Sequence, residues 1–323
     1  MDALPITFIE DVCLIVNYYN LSPLGAVPKP WSSLARESQK NRSILVINFN
    51  PDNLKIYVGS YNYLTVNPIR KPDFRYITNL QVQCRDYRIC EDDPVWTEVS
   101  MKQVENLISQ MAGETNGLQS FPFSPKLKSQ DRLTVRNLQN TLGTSSLCQA
   151  VFSSQLGIHK LFLENVRGCE SEIEAFLERS GAPLHVRISK TDLSKRCVDL
   201  IVERLYFSKD TDSFVEMTDT EFSVSQIRRL VSRFSKADRY VVWRFGFEHA
   251  DQVERSKDLI KLLDLKDVFS KVTEVKHPRE DSSFDYVAED HVFRIRWDET
   301  YLGHLIEFKT QKFGCPMWPN CDL

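Results

Sequence analysis

The segments HVRISKTDLSKRCVDLIVERL (185–205) and FVEMTDTEFSVSQIRRLVSRF (214–234) align without a gap at an offset of 29 residues. Each segment opens with alternating apolar residues, as expected of a strand with one buried face. Each then closes with apolar residues at helical spacing. Thr191 matches Thr220, and Ser194 matches Ser223, in the turn between the two patterns. This stretch predicts two successive strand–turn–helix units and therefore an α/β fold.

Similar units flank this pair. Upstream, Leu161 and Leu163 fit the strand and 173–177 the helix of a weaker copy, and an earlier unit starts near Leu133. Downstream, the pattern predicts a strand at 240–247, a helix around 259–265, and strands near 291–297 and 305–308. Periods of about 20 to 29 residues are typical of leucine-rich repeats. We therefore expect a curved leucine-rich-repeat-like strand/helix array, although a generic β–α alternation with chance similarity is the alternative.

The turn positions fit the same repeat pattern. Ile158, Leu161 and Leu163 follow the spacing L-x-x-L-x-L, and Thr191 and Thr220 take the place of the usual Asn or Cys. That Asn or Cys normally bonds backbone groups inside the turn, and a threonine hydroxyl is expected to make part of those bonds.

The region between residues 41 and 115 has a different pattern. Residues 44–49 and 54–58 are rich in β-branched and aromatic side chains, and Asn-Pro-Asp-Asn at 50–53 separates them, which predicts a β-hairpin. A third strand is expected at 76–83 and an amphipathic helix at 101–111. Residues 113–132 are predicted to form a loop or boundary. The expected organisation is a helical module at 1–40, a β-rich region with one helix at 41–115, and an α/β repeat-like region at 133–323.

The first 35 residues form a short helical segment with too many large apolar side chains to bury alone. One apolar stripe at helical spacing is predicted, formed by Leu4, Phe8, Ile9, Val12 and Val16. A second set of apolar residues continues the pattern: Leu21, Leu24, Val27, Trp31 and Leu34. The segment must therefore dock on the rest of the chain or on a partner. A structural helical cap on the following domain is the simplest alternative.

This segment resembles an F-box, a motif that begins with Leu-Pro and ends with Trp and Leu-Ala. The matching residues are Leu4-Pro5, Val12, Leu21, Leu24, Val27, Trp31 and Leu34-Ala35. The start of the chain also looks like a large nematode family of F-box-type proteins. Thr7 stands where an acidic residue is usual, and Pro28-Lys29 where Cys-Lys is usual.

The resemblance implies a non-enzymatic, substrate-recognition subunit of a cullin-RING ubiquitin ligase, in the ubiquitin conjugation pathway. The resemblance implies that the module binds the Skp-type adaptor of the cullin complex. The residues that face this adaptor or form the core of the module would be Leu4, Pro5, Ile9, Val12, Leu24, Val27 and Trp31. The C-terminal repeats would bind a target protein. If Val186, Ile188, Val215 and Met217 point inward, the exposed strand positions are Arg187, Ser189, Glu216 and Thr218. The alternative is a stand-alone interaction scaffold or inhibitor.

Composition and motifs give no support for an enzyme, a membrane protein or a nucleic-acid-binding protein. The net charge is −3, and the eight cysteines form no C-x-x-C pair, which favours free thiols in the cytoplasm or nucleus. No apolar run reaches the roughly 20 residues of a membrane helix. No catalytic motif, metal site or cofactor site is predicted. The basic residues between Arg228 and Arg244 favour a solvated helix surface over nucleic-acid binding.

Overall fold

The computed structural model describes residues 5–15, 21, 23–62, 76–85, 96–112, 130–156, 158–180, 185–204, 213–234, 241–247, 261–264, 271–275, 283–288, 291–300 and 303–312. The chain divides into two compact units, Met1–Gly181 and Ala182–Leu323. Both units combine β-strands with helices, so the predicted mixed α/β class is confirmed.

The first unit opens with helix α1 (Ile6–Ile15) and helix α2 (Trp31–Asn41). Strands β1 (Ser43–Asn50) and β2 (Lys55–Asn62) follow and pair antiparallel, which confirms the predicted hairpin. Its turn uses asparagine side chains, since Asn50 Oδ1 accepts from Asp52 N at 2.9 Å and Asn53 Oδ1 from Lys55 N at 3.1 Å. These bonds hold the backbone reversal locally.

The predicted third strand and helix are also present. Strand β3 (Ile77–Cys84) pairs parallel with β1, and the short strand β4 (Thr97–Val99) pairs antiparallel with β2. Helix α3 (Met101–Ala112) buries Val104, Ile108 and Met111. A capping box starts this helix, because Ser100 Oγ accepts from Gln103 N while Gln103 Oε1 accepts from Ser100 N.

Two strand–helix units complete the first unit. They comprise β5 (Gln130–Arg136), α4 (Ser145–Ser153), β6 (Ile158–Glu164) and α5 (Glu170–Ser180). The parallel neighbours run in chain order from β3 to β5 to β6. Leu133, Val135, Leu161 and Leu163 are at most 1% exposed and form the inward rows of these strands. The upstream units predicted from the weaker repeat are therefore present.

The second unit begins with the pair of repeats that the sequence shows most clearly. They comprise β7 (His185–Ser189), α6 (Lys195–Arg204), β8 (Ser213–Phe222) and α7 (Val224–Phe234), followed by β9 (Val241–Phe247). The three strands are parallel neighbours in chain order. The register aligns Val186 with Val215 and Val215 with Trp243, and all three are fully buried.

Four antiparallel strands close the second unit: β10 (Lys271–Val275), β11 (Ser283–Ala288), β12 (His291–Thr300) and β13 (Gly303–Lys312). They pair in sequence, and β13 pairs antiparallel with β9. The last two confirm the strands predicted near 291–297 and 305–308. Of the helix predicted around 259–265, only 261–264 lies within the described residues, and 261–263 is helical.

The same left-handed turn follows three of the parallel strands. Asn137, Asn165 and Lys190 stand directly after β5, β6 and β7, with φ values of 52°, 54° and 49°. Asparagine tolerates this conformation better than most residues. The next residue is buried each time, as Leu138, Val166 or Thr191. These strand–helix units therefore share the same local turn structure, a left-handed residue followed by a buried one.

The turn bonds are made differently in the two units. Thr191 Oγ1 donates to Ser189 O at 2.9 Å, which is the kind of bond predicted for a threonine at this position. In the first unit the equivalent residues, Leu138 and Val166, are apolar. There Asn140 donates from its backbone N to Arg167 O at 2.9 Å and from Nδ2 to Gly168 O at 2.8 Å. In this turn of the first unit, the polar side chain that makes the turn bonds therefore stands two residues later in the chain, at Asn140 instead of Leu138.

Helices α6 and α7 are joined by an acidic and a basic residue. Asp199 Oδ1 accepts from Arg229 and from Gln226 Nε2, the latter at 3.1 Å. Burial raises the pKa of Asp199, but the hydrogen bonds from Gln226 and Arg229 outweigh it, so its pKa lies below the ordinary value. A carboxylate with a lowered pKa stabilises the fold above its unfolded pKa and loses that effect as the pH falls through its folded pKa.

We expect Asp199→Asn to lower the free energy of unfolding by about 1 kcal/mol at pH 7, since the ion pair is partly exposed. The difference from wild type should shrink as the pH falls below the ordinary carboxyl range. Urea unfolding from pH 7 to pH 3 measures this. Asp52→Asn, at the exposed β1–β2 turn, is the control. A difference that stays constant with pH would contradict the assigned role of the carboxylate.

Candidate functional site

The N-terminal helices have a small hydrophobic cluster of their own. Ile9, Cys13, Leu21 and Ala35 are at most 1% exposed, and three half-buried residues pack against them, namely Leu24, Trp31 and Leu34. Residues from α1, the connecting segment and α2 thus meet in one core. Part of the apolar surface of residues 1–35 is therefore buried within this segment itself, between the side chains of the cluster.

Polar contacts fix the end of α1 against α2. Ser38 Oγ and the Arg42 guanidinium both donate to Cys13 O, each at 3.1 Å. A cation at the last carbonyls of a helix is favourable because that end carries partial negative charge. Burial raises the pKa of the Cys13 thiol, although Arg42 lowers it in part. Cys13 is therefore a neutral core residue at physiological pH.

The connection into α2 accommodates both prolines. Pro28 and Pro30 lie in the turn before α2, which begins at Trp31. Pro30 O accepts from Ser33 Oγ at 2.8 Å and from Leu34 N at 3.2 Å. The proline segment therefore supplies the acceptor that starts the helix.

An apolar face of α1 remains in solvent. Pro5, Phe8 and Val12 follow each other at helical spacing, and Phe8 is 48% exposed. Ile6, on a different side of the helix, is 59% exposed. The predicted apolar stripe includes both Phe8 and Ile9, but only Ile9 is buried, because consecutive helical residues point about 100° apart. The sequence did not single out Ile6.

The seven predicted adaptor-binding positions fall into four groups. Leu4 lies outside the described residues. Ile9 is buried, whereas Val12, Leu24, Val27 and Trp31 are half-buried, and Pro5 is exposed. The structure brings Ile9, Leu24 and Trp31 together in the cluster. Among these predicted positions and their neighbour Phe8, the face that remains in solvent is formed by Pro5 and Phe8, with Val12 at its edge.

The predicted target-binding strands have the expected inward face. Val186, Ile188, Val215 and Met217 are at most 1% exposed. On the other face, Arg187 is exposed, whereas Ser189 and Thr218 are half-buried. The predicted exposure of Glu216 is wrong, since its side chain is only 11% exposed and Arg187 Nε lies 3.3 Å from its Oε2.

The strand register explains the burial of Glu216. It stands opposite Arg187 on one side and opposite Arg244 on the other. A residue on a central strand has neighbours on both sides, whereas the sequence pattern indicates only which face it occupies. The face nevertheless presents Arg187 to solvent.

A second polar strand face, in the first unit, was not predicted. The Arg132 guanidinium lies 4.7 Å from the centre of the Phe162 ring, and Arg136 Nε lies 3.1 Å from Glu164 Oε2. Arg132 and Arg136 alternate with the buried Leu133 and Val135 in the segment QDRLTVR. The alternation was the signal available, but no second clear copy marked this strand.

Among the described residues, no group of three His, Cys, Asp or Glu side chains is placed to hold a metal ion. Within those ranges, no helix has both the length and the apolarity needed to cross a membrane. Cys315 and Cys321 lie outside the described residues.

Comparison of the chain with protein-family models, with curated proteins and with solved structures found no match.

Proposed function

We propose that this chain is a substrate-recognition subunit of a cullin-RING ubiquitin ligase. Residues 4–35 would bind a Skp-type adaptor, and the strand–helix units would hold a target protein. Such a subunit carries out no chemistry itself, because it raises the local concentration of the target near the conjugating enzyme.

The observation that carries this proposal is the exposed apolar face of α1 on a module with its own core. Phe8 is 48% exposed, while its neighbour Ile9 is fully buried. Large apolar side chains on a preformed helix are typical anchors of protein interfaces. These residues lie within the segment that resembles an F-box.

The repeated units support the second half of the proposal. Parallel strands follow in chain order, and three of them end in the same left-handed turn. We assign them to a leucine-rich-repeat-like array, whose strand face is the usual binding surface. Arg187 in the second unit and the Arg132–Phe162 pair in the first are the groups we expect to contact targets.

The proposal is tested by affinity purification of the chain with and without residues 1–40. We expect the intact chain to recover the adaptor and cullin, and the truncated chain to recover neither while keeping its target proteins. Absence of adaptor and cullin from the intact sample would contradict the proposal.

One observation favours the alternative of a stand-alone scaffold or inhibitor with a structural helical cap. Only Arg42 separates α2 from β1, and Asn62 Nδ2 donates to Lys40 O at 2.7 Å, so the module joins the sheet directly. Under this alternative, removal of residues 1–40 lowers the melting temperature strongly and changes partner recovery only through unfolding.

A charge swap tests the proposed target face. Arg187→Glu combined with Glu216→Arg keeps this ion pair but reverses its polarity, and it sets an arginine at 216 opposite Arg244, so the melting temperature should fall modestly. Recovery of target proteins should fall about fivefold or more, with adaptor recovery unchanged. Lys102→Glu, on α3, is the control. Unchanged target recovery would count against this face.

A further inference from the structure

Two cysteines from neighbouring strand–helix units meet inside the first unit. Cys169 Sγ donates to Cys148 Sγ, with the two sulfurs 3.2 Å apart, and it also lies 3.5 Å from Arg167 O. Both cysteines carry free thiols and are fully buried. A disulfide bond is about 2.05 Å long, so a movement of little more than about 1 Å would join the two sulfurs.

The position of Cys169 departs from the pattern of the other units. Cys169 directly precedes α5, and its carbonyl accepts from Ile173 N at 2.9 Å. The residues in the same position before α4, α6 and α7 all carry hydroxyls; they are Thr144, Ser194 and Ser223. A thiol accepts hydrogen bonds more weakly than a hydroxyl, so cysteine is the poorer residue to start a helix. Departures from a local rule of this kind often mark functional positions.

The second unit shows that a buried thiol in these helices can be satisfied by a hydroxyl. Cys197, in the first turn of α6, is fully buried, and Ser194 Oγ donates to its sulfur at 3.3 Å. A serine at position 169 would supply the same kind of group. The packing of the helix ends therefore gives no reason for a second sulfur beside Cys148.

The hydrogen bond between the sulfurs makes the two thiols unequal. The S–H group of Cys169 lowers the pKa of Cys148 below its ordinary value, although burial and the nearby Glu172 oppose this. The same hydrogen bond, together with burial, raises the pKa of Cys169. Because the thiolate and not the thiol is the nucleophile, Cys148 is the residue that attacks first and Cys169 the one that closes the bond.

We propose that hydrogen peroxide converts Cys148 and Cys169 into a reversible disulfide that joins α4 to α5. The Cys148 thiolate attacks one peroxide oxygen, so an S–O bond forms, the O–O bond breaks, and the departing hydroxide takes up a proton to become water. Cys169 then attacks the sulfenic sulfur, so the S–S bond forms and the sulfenic oxygen leaves as a second water with the Cys169 proton. Two thiols and one peroxide thus give one disulfide and two waters. This modification site does not depend on the proposed adaptor and target contacts.

Burial selects the oxidant. Both cysteines are 0% exposed, so a bulky disulfide such as oxidised glutathione is excluded from the folded chain. Hydrogen peroxide is little larger than water and can enter during small local openings. The second sulfur lies in contact with the first, so we expect the disulfide to form before the sulfenic acid is oxidised further.

Peptide mapping of the full chain after treatment with hydrogen peroxide tests the proposal. Trypsin releases Cys148 in the peptide 137–160 and Cys169 in the peptide 168–179, and neither peptide contains another cysteine. We expect the two peptides to appear joined, with a mass lower than their sum by two hydrogen atoms, and dithiothreitol to separate them. Oxidised glutathione at the same concentration should give little of the joined pair.

Three variants serve as tests and controls. Cys148→Ser and Cys169→Ser should each abolish the joined pair, whereas Cys197→Ser should leave it unchanged. Cys169→Ser should melt within about 3 °C of wild type, because serine holds the same position before α6 and α7. Oxidation of wild type should raise amide protection across 130–180 by about tenfold or more, since the cross-link restricts the unfolded chain.

Absence of the joined pair from peroxide-treated wild type, shown to be folded by its melting temperature, would overturn the proposal. Formation of the pair only after denaturation would also overturn it, as would unchanged amide protection in the oxidised chain. A joined pair that forms in the folded chain and is lost in the folded Cys169→Ser variant would support it.

Discussion

A Phe8→Asp variant is expected to lose adaptor binding by about 30-fold or more while its melting temperature stays close to that of wild type. The side chain is 48% exposed in the free chain, so a carboxylate there remains hydrated. In the complex, the same carboxylate would be buried against apolar residues without a partner. Central aromatic anchors of interfaces typically contribute 2 kcal/mol or more, which corresponds to about 30-fold in the dissociation constant.

Leu142→Asp is the matched control for this prediction. Leu142 is fully exposed in the turn before α4, and the same loss of apolar surface there should leave adaptor affinity unchanged. Biolayer interferometry with purified adaptor measures both variants. Equal affinities for wild type and Phe8→Asp would show that this face of α1 makes no contact with the adaptor.

The second large effect is expected at the neighbouring residue. Ile9→Ala should destabilise the N-terminal module by about 3 kcal/mol, because it leaves a cavity in a cluster with few other large side chains. Hydrogen exchange should show lost amide protection across 6–41 and unchanged protection across 130–180. Adaptor binding should weaken in proportion to the population of the unfolded module.

Ile6→Ala controls for the change of residue type, because Ile6 lies on the same helix and is 59% exposed. Its effect on protection should be within about 0.5 kcal/mol. If Ile9→Ala leaves exchange across the module unchanged, the cluster does not stabilise it. If Ile9→Ala also exposes 130–180, the module and the strand–helix units unfold together.

Much of the second unit could be predicted because its sequence is repeated. The apolar alternation around Val186 and Val215 indicated two strands, and the aligned turn serines at 194 and 223 stand where the structure starts the two helices. Local signals of this kind depend on neighbours in the chain, which a sequence displays directly. The hairpin at 43–62 was readable for the same reason, since its turn bonds join residues two apart.

The errors and omissions involve contacts between distant residues. Glu216 was placed on the correct strand face, but its burial depends on Arg187 and the register of two neighbouring strands. Phe8 and Ile9 differ in burial because α2 covers only one side of α1, and hydrophobicity cannot show which side that is. The register shift of β8 beside Thr220 and the close approach of that backbone to Gly246 leave no pattern in the sequence.

The most direct measurement of the central claim is an isothermal titration of the full chain with a purified Skp-type adaptor. Binding with one-to-one stoichiometry is predicted, with strong weakening by Phe8→Asp and unchanged affinity for Leu142→Asp. No heat of binding and no complex on gel filtration, from a chain shown to be folded by circular dichroism, would contradict the assignment of residues 4–35 as an adaptor-binding module.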